Sequence, residues 1–307
     1  KFELAAEDDA GDPRQATAVA QKLCDQKVAG VVGHLQSGTS IPASAVYAKC
    51  DMPHITASAS NPDLTKPGHK TTFRLIANDN ALGAALALFG ADHLKIKTVA
   101  IIDDRTAYGQ GVASVFKATA LQKGVKVVAE EFTSDKATDF MAILTSIKNK
   151  KPDAIFYGGL DAQAGPMLRQ MEQLGLSGVK YFGGDALCTE KLPELASKTQ
   201  ALKNVTCATG GASVDKMQGG ADWKKRYDAK FPGQFQIYSP YAYDATMVLA
   251  DAMKRANSVD PKVFNAFISK TDYKGVTANI AFTSKGELTT PAVTLYTYND
   301  GRRVALN

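Results

Sequence analysis

The residues best placed to do chemistry are small and polar, and they gather directly after apolar runs. Residues 33–40, Gly-His-Leu-Gln-Ser-Gly-Thr-Ser, follow the run 28–32 and lead into a helical pattern. At such a junction the main-chain amides and the Ser37 hydroxyl face whatever the loop covers, and the positive end of the helix suits a carboxylate. Residues 57–62, Ala-Ser-Ala-Ser-Asn-Pro, follow the short run 54–56 and add Ser58 and Ser60 as small donors and acceptors. Ordinary helix capping and turn formation use the same residue types.

Three further loops follow apolar runs: residues 103–108 (Asp-Asp-Arg-Thr-Ala-Tyr), 158–163 (Gly-Gly-Leu-Asp-Ala-Gln) and 183–188 (Gly-Gly-Asp-Ala-Leu-Cys). Asp161 and Asp185 each come after a Gly-Gly pair that lets backbone approach closely, so both are candidates to face a cation. Tyr108 is a candidate to cover an apolar side chain. Loops that favour an anion, set opposite loops that carry acids, suit a zwitterion. The competing readings are a glycosidase-like acid and base, and solvated loop acids without function.

Enzyme signatures are missing. The chain has no G-x-S-x-G elbow, no G-x-x-x-x-G-K-[ST] phosphate loop and no H-E-x-x-H. Gly109-Gln110-Gly111 offers G-x-G after a strand, but Ser114 stands where a dinucleotide fingerprint needs its third glycine. Four scattered histidines do not suggest a catalytic one, and His93, continuing the stripe of Leu86 and Phe89, reads as a core or capping residue. Cys24, Cys50, Cys188 and Cys207 lack both C-x-x-C spacing and a histidine neighbour, which argues against a metal site. They fall into two local pairs, Cys24 with Cys50 and Cys188 with Cys207, as two disulfides in an oxidising compartment would. Four buried free thiols are the alternative.

The elements that must position these loops are legible. Apolar runs of four to six residues alternate with helical patterns of ten to sixteen, which is the grain of an α/β protein. Strands are expected at 1–6, 28–32, 54–56, 73–76, 98–102, 125–132, 154–157, 181–182 and 204–208. Helices are expected from 13 toward 27 and at 37–50, 108–122, 139–150, 165–174, 221–230, 241–255 and 261–271, with another carrying Leu82, Leu86 and Phe89. The economical arrangement is two doubly wound parallel-sheet lobes joined by three crossovers: residues 1–77 with 210–290, and 78–209 with 291–307. Ligands of open parallel sheets sit beyond the carboxyl ends of strands, and crevices between lobes are favoured pockets. Residues 1–6 resemble the second strand of such a sheet, so a first strand and helix are expected upstream of Lys1; without them buried amides and carbonyls go unpaired.

Composition bounds the class. With 307 residues, 45% hydrophobic and 22% charged, the chain has globular proportions and room for about two domains at roughly 100–200 residues each. Its 36 Lys+Arg against 31 Asp+Glu are interspersed, which argues against a nucleic-acid groove. No stretch approaches the roughly 20 apolar residues of a membrane span, and no signal peptide opens the sequence.

Particular stretches carry a family resemblance. Val31-Val32-Gly33-His34-Leu35-Gln36-Ser37, Ala59-Ser60-Asn61-Pro62, Asp104 to Gly111, and Tyr157-Gly158-Gly159 with Gly165 to Gln170 resemble the periplasmic leucine/isoleucine/valine-binding proteins of ABC importers, in order along essentially the whole chain. The resemblance implies a type I periplasmic binding fold, hinged at three crossovers, that closes on an amino acid and delivers it to membrane permease subunits. It implies a periplasmic or otherwise extracytoplasmic monomer with no cofactor, no metal and no catalysis. By position, Ser37, Ser58 and Ser60 would hold the α-carboxylate and part of the α-ammonium, Asp185 would pair with the ammonium, and Tyr108 and Tyr241 would wall the side-chain pocket. Leu160 stands where relatives can have an aromatic, Asp185 where they have a longer glutamate, and Gly11 and Gln36 where some have a cysteine pair; Leu160 and Asp161 then shape the pocket. The alternatives are a ligand-sensing receptor module for an amino acid or amide, and a hydrolase using Asp161 or Asp185 as base.

Overall fold

Asp12 opens the first helix of the computed structural model, which describes residues 2–306. Its carboxylate accepts from the amides of Arg14 and Gln15 at 2.8 Å each, and Pro13 at the first helical position has no amide to satisfy. Helix α1 (Pro13–Asp25) leads to β1 (Val31–Val32), α2 (Ser37–Lys49), β2 (His54–Thr56) and β3 (Thr72–Arg74). The three strands form a parallel sheet in that order, with Val31 beside His54 and His54 beside Thr72.

The chain then enters a second unit. α3 (Asp79–Leu88), with a π-turn at Phe89–His93, is followed by β4 (Thr98–Asp103), α4 (Ala107–Gln122), β5 (Lys126–Phe132), α5 (Met141–Lys150), β6 (Ala154–Gly158), α6 (Asp161–Gln173), β7 (Lys180–Gly183), α7 (Leu192–Leu195) and β8 (Val205–Thr209). It returns to the first unit for α8 (Gly220–Lys230), α9 (Ser239–Ala256), α10 (Pro261–Ile268) and the antiparallel pair β9 (Tyr273–Lys274) and β10 (Asn279–Ile280). It ends in the second unit with β11 (Thr294–Asn299) and β12 (Arg302–Ala305). The units are Lys1–Ala77 with Ala212–Ala292, and Asn78–Gly211 with Val293–Asn307, so the later crossings fall two residues beyond the expected 209/210 and 290/291.

The second unit is doubly wound. Its seven-stranded sheet runs β12-β11-β8-β7-β6-β4-β5, parallel from β8 to β5, with β11 and β12 as an antiparallel edge hairpin. Alternate residues of β4 feed opposite faces: Ala100 and Ile102 pack with Leu144, Ile147, Leu168 and Met171, whereas Val99 and Ile101 pack with Leu82, Leu86, Val112 and Phe116. Full burial of such aliphatic and aromatic side chains is worth about 1.5–3 kcal/mol each, which fixes the strand register and hence the loops at the strand ends.

In the first unit Ile55, Phe73 and Leu75 pack against Val248, Leu249 and Met253 of α9 and Phe264 and Ile268 of α10. Those returning helices cover the first sheet, as their lack of intervening strand requires. Both cysteine pairs are disulfides: Cys24–Cys50 joins the ends of α1 and α2, and Cys188–Cys207 joins the loop after β7 to β8.

Two expected strands are corrected. Residues 2–6 form no regular structure, with Phe2 and Leu4 at 68% and 88% exposure, and Lys1 lies outside the described residues. The 28–32 run shortens to Val31–Val32. A strand exists only through a ladder partner, and β1 has one neighbour, β2. A pocket of about 550 Å³ is lined by Phe2 to Ala5, Glu7 to Asp9 and Val28 to Leu35, with Leu23, Leu249 and Met253. His93 is also corrected: it is exposed and stacks on Phe89, because the π-turn rotates it off the buried stripe of α3.

Candidate functional site

The two serine loops of the first unit are stitched together by hydrogen bonds. Ser58 Oγ donates to the carbonyl of Leu35 at 2.8 Å, and the Asn61 amide donates to Ser37 Oγ at 3.2 Å. Thr56 at the end of β2 donates its hydroxyl to the His34 carbonyl at 3.1 Å and accepts from the Ala59 amide at 2.9 Å. Ser37 is the first residue of α2, whose N-terminus has no side-chain cap, so its positive end is open to an anion. Ser60 is 1% exposed, and its Oγ has no hydrogen-bond partner among the described residues. Tyr241 in the first turns of α9 packs with Ala57, Ile76 and Met217. Ser37, Ser58, Ser60 and Tyr241 therefore share one neighbourhood.

A buried polar chain supports the first of these loops. His34 Nδ1 lies 2.6 Å from Asp9 Oδ2, and His34 Nε2 lies 2.8 Å from the Tyr47 hydroxyl. Burial and the Asp9 charge push the Tyr47 phenol well above its ordinary range, so it stays protonated. Burial of Asp9 acts to raise its pKa, but the bonds from His34 and the Gly11 amide outweigh it and hold the carboxyl below the usual range. His54, on the neighbouring strand, is lowered to about 3 by burial first and by His34 second, against the Gly33 backbone, so its imidazole is neutral.

In the second unit, Tyr108 and the Asp185 loop meet directly. The Tyr108 hydroxyl accepts from the Ala186 amide at 3.2 Å, and its ring belongs to the apolar cluster of Val112 and Phe116. Asp185 is 1% exposed and opens a 3-10 turn held from several sides: Tyr298 donates to the Thr189 carbonyl at 2.7 Å, Arg303 to the Cys188 carbonyl at 2.7 Å, and Cys188 is bridged to Cys207. Asp104, after β4, is held above its usual range by burial despite the bonds it accepts from Thr106.

Leu160 and Asp161 are placed differently from the expected loop. α6 begins at Asp161, four residues before the expected start, and half-buried Leu160 is its N-cap. Asp161 accepts from Thr189 Oγ1 at 2.5 Å and lies in the first helical turn, where its negative charge is favoured. Gly165 and Pro166 hide this start because neither suits a helix interior, yet a Cβ at Gly165 would meet the Leu195 main chain. The other glycines are also packing devices: a Cβ at Gly109 or Gly158 would collide with the carbonyl of the other, and one at Gly184 with the Tyr108 hydroxyl.

Sequence reasoning passed over Thr56 and Arg74. Arg74 is fully buried at the end of β3, and its guanidinium reaches the serine loop. An arginine inside the apolar run Phe73-Arg74-Leu75-Ile76 was the available signal.

The model of a periplasmic binding protein family matches residues 1–303. The chain belongs to the periplasmic binding protein family. A Leu/Ile/Val-binding protein homolog 1 of Brucella suis is 33% identical over 303 residues, covering 98% of this chain and 80% of that protein. The leucine-, isoleucine-, valine-, threonine- and alanine-binding protein of Pseudomonas aeruginosa is 30% identical and covers 95% of this chain and 77% of its own length. Among solved structures, the leucine-binding protein LivK of Thermotoga maritima aligns with a TM-score of 0.90 at 25% identity, covering 98% of this chain and 85% of that one. LivJ of Streptococcus pneumoniae, solved with isoleucine, aligns at 0.88 and 25%, covering 99% and 87%. This member of the family has no helix, among the described residues, long and apolar enough to cross a membrane, and no cluster of metal-ligating side chains there.

Proposed function

We propose that this periplasmic binding protein captures a small aliphatic amino acid, branched-chain side chains foremost, and delivers it to the permease of an ABC importer from a periplasmic or other extracytoplasmic location. The ligand's carboxylate is taken by Ser37, Ser60 and the open N-terminus of α2, with Ser58 locking the two loops. Its ammonium pairs with Asp185, through the short charge-assisted bonds that ions make. Tyr241 and Tyr108 bound the side chain, with Leu160 and the Asp161 turn shaping its far end. No bond is made or broken, and the protein works as a monomer without a cofactor.

The observation that carries this reading is Ser60. A buried hydroxyl without a partner costs about 1–3 kcal/mol, and a ligand carboxylate supplies the missing partner. The family's named relatives point the same way, since those named above bind leucine, isoleucine or valine by their descriptions.

A thermal-shift screen of the twenty amino acids tests it. Leucine, isoleucine and valine should raise the melting temperature in proportion to the logarithm of their concentration, because a ligand that binds only the folded state stabilises by mass action. No shift with any amino acid rejects the reading. A mass spectrum of ligand released from the purified protein identifies which one is carried.

A further inference from the structure

Arg74 spends all five of its guanidinium donors inside the first unit. Nη1 donates to the carbonyls of Ala59 at 2.7 Å and Asn61 at 3.0 Å, Nε to Glu287 Oε2 at 3.0 Å, and Nη2 to Glu287 Oε1 at 2.6 Å and Thr65 Oγ1 at 3.2 Å. Thr65 Oγ1 in turn donates to Glu287 Oε1. Glu287 is brought to this point by a turn lying against β3: the Arg74 amide donates to the Gly286 carbonyl at 2.9 Å, and Gly286, at φ +78°, approaches the Thr72 carbonyl so closely that a Cβ would collide with it. Arg74 is 0% exposed.

Stability does not explain the choice of a fully buried arginine. Replacing a buried ion pair with apolar groups of similar volume is often neutral or stabilising, because desolvating two charges offsets most of their attraction. What the arginine does that an apolar residue could not is hold two particular carbonyls, those of Ala59 and Asn61, which flank Ser60 on either side. A cation on the Ala59 carbonyl also polarises the peptide whose other end is the Ser60 amide, making that N–H a stronger donor.

We infer that Arg74, oriented by Glu287, is the positioning residue of the binding site: by holding the Ala59 and Asn61 carbonyls it fixes the Ala59–Ser60 and Asn61–Pro62 peptides, which bracket Ser60, so that the unpartnered Ser60 hydroxyl is aimed at the ligand. The inference rests on the amino-acid-binding reading above. Arg74 acts through Ser60 and touches no ligand itself.

The test is a double-mutant cycle on affinity, read by calorimetric titration of the full chain with leucine, or with whichever amino acid gives the largest thermal shift. Glu287→Gln keeps the shape and one acceptor while removing the charge that orients Arg74. It should weaken binding about tenfold when Ser60 is present and less than threefold in the Ser60→Ala background, because the two changes disable the same contact. The double variant Arg74→Met with Glu287→Met removes the pair altogether. It should retain a cooperative melt and lose about tenfold in affinity, the loss expected of Ser60→Ala itself. Additive effects of Glu287→Gln and Ser60→Ala, or undiminished affinity in a folded Arg74→Met, Glu287→Met protein, would overturn the positioning role and leave the functional reading standing. If the double methionine variant does not fold, the Glu287→Gln cycle decides alone. Failure of the unaltered protein to bind any amino acid would overturn both.

Discussion

Ser58 donates its hydroxyl proton to the Leu35 carbonyl at 2.8 Å, so the second serine loop is fastened to the first by a side chain that cannot also serve a ligand as donor. Ser60, two residues on, is buried and has no such partner among the described residues. The two serines should therefore respond oppositely to alanine. Ser58→Ala leaves the Leu35 carbonyl without its donor and should cost about 1–3 kcal/mol of stability. Ser60→Ala removes a buried hydroxyl that has no partner among the described residues, so it should raise the stability of the free protein by about 1–3 kcal/mol while losing amino-acid affinity about tenfold. Denaturant unfolding of the free proteins, paired with leucine titration, separates the two; equal stability losses would contradict the division of roles.

Asp185 supplies the negative charge proposed to face the ligand's ammonium. Asp185→Asn keeps the size of the side chain and the 3-10 turn, which Cys188, Tyr298 and Arg303 hold independently. Leaving a buried ammonium without its counter-charge costs on the order of 2–5 kcal/mol in binding. The expected result is a loss of thirtyfold or more in leucine affinity, by calorimetric titration, in a protein that still unfolds cooperatively. An affinity within threefold of the original would remove Asp185 from the site.

The neutral His54 makes the first unit acid-sensitive. Its pKa is about 3 when folded, against 6.5 for an unperturbed histidine, so the unfolded chain takes up the proton first. Stability is full above about pH 6.5 and falls as the pH drops toward 3. Between pH 7.5 and 5 the loss from this residue is about 2 kcal/mol. Asp9, held below its usual range, contributes only at lower pH, where its own carboxyl begins to protonate. His54→Phe should therefore flatten the decline in melting temperature between pH 7.5 and 5. An unchanged slope would place the acid sensitivity elsewhere.

Periodicity made the second unit legible, since each strand there has a partner within reach of the sequence; β4 and β6 lie within one residue of their expected spans because both are continuous apolar runs buried on two faces. The first unit was less legible for the converse reason. Residues 2–6 and 28–30 have strand-like sequences but pair with no strand among the described residues, and local pattern does not reveal ladder partners. At the site, the serine loops stood out by composition, whereas Arg74 did not, because its meaning lies in carbonyls 13 and 15 residues away and in Glu287, 213 residues away. The closing hairpin is absent from the expected strands, although Asp300 and Gly301, both at positive φ, are the residues a tight hairpin turn requires.

The Cys188–Cys207 bridge allows stability and binding to be separated in the second unit. Both residues are fully buried, and the bond joins positions 19 apart, tying the loop after Asp185 to β8. Closing a loop of that size restricts the unfolded chain by an amount worth about 3 kcal/mol. The same loop is held in the folded state by Arg303 on the Cys188 carbonyl and Tyr298 on the Thr189 carbonyl, neither of which needs the sulfur bond. Cys188→Ala with Cys207→Ala should accordingly lower the unfolding free energy by about 3 kcal/mol in urea while changing leucine affinity less than threefold. Arg303→Ala should do the reverse in proportion, since it releases the Cys188 carbonyl beside Asp185 and breaks a pair with Glu190 at the protein surface, where such pairs add at most about 1 kcal/mol. A tenfold affinity loss in the bridge variant under conditions where it remains folded would show that the disulfide, and not Arg303 and Tyr298, keeps Asp185 in place.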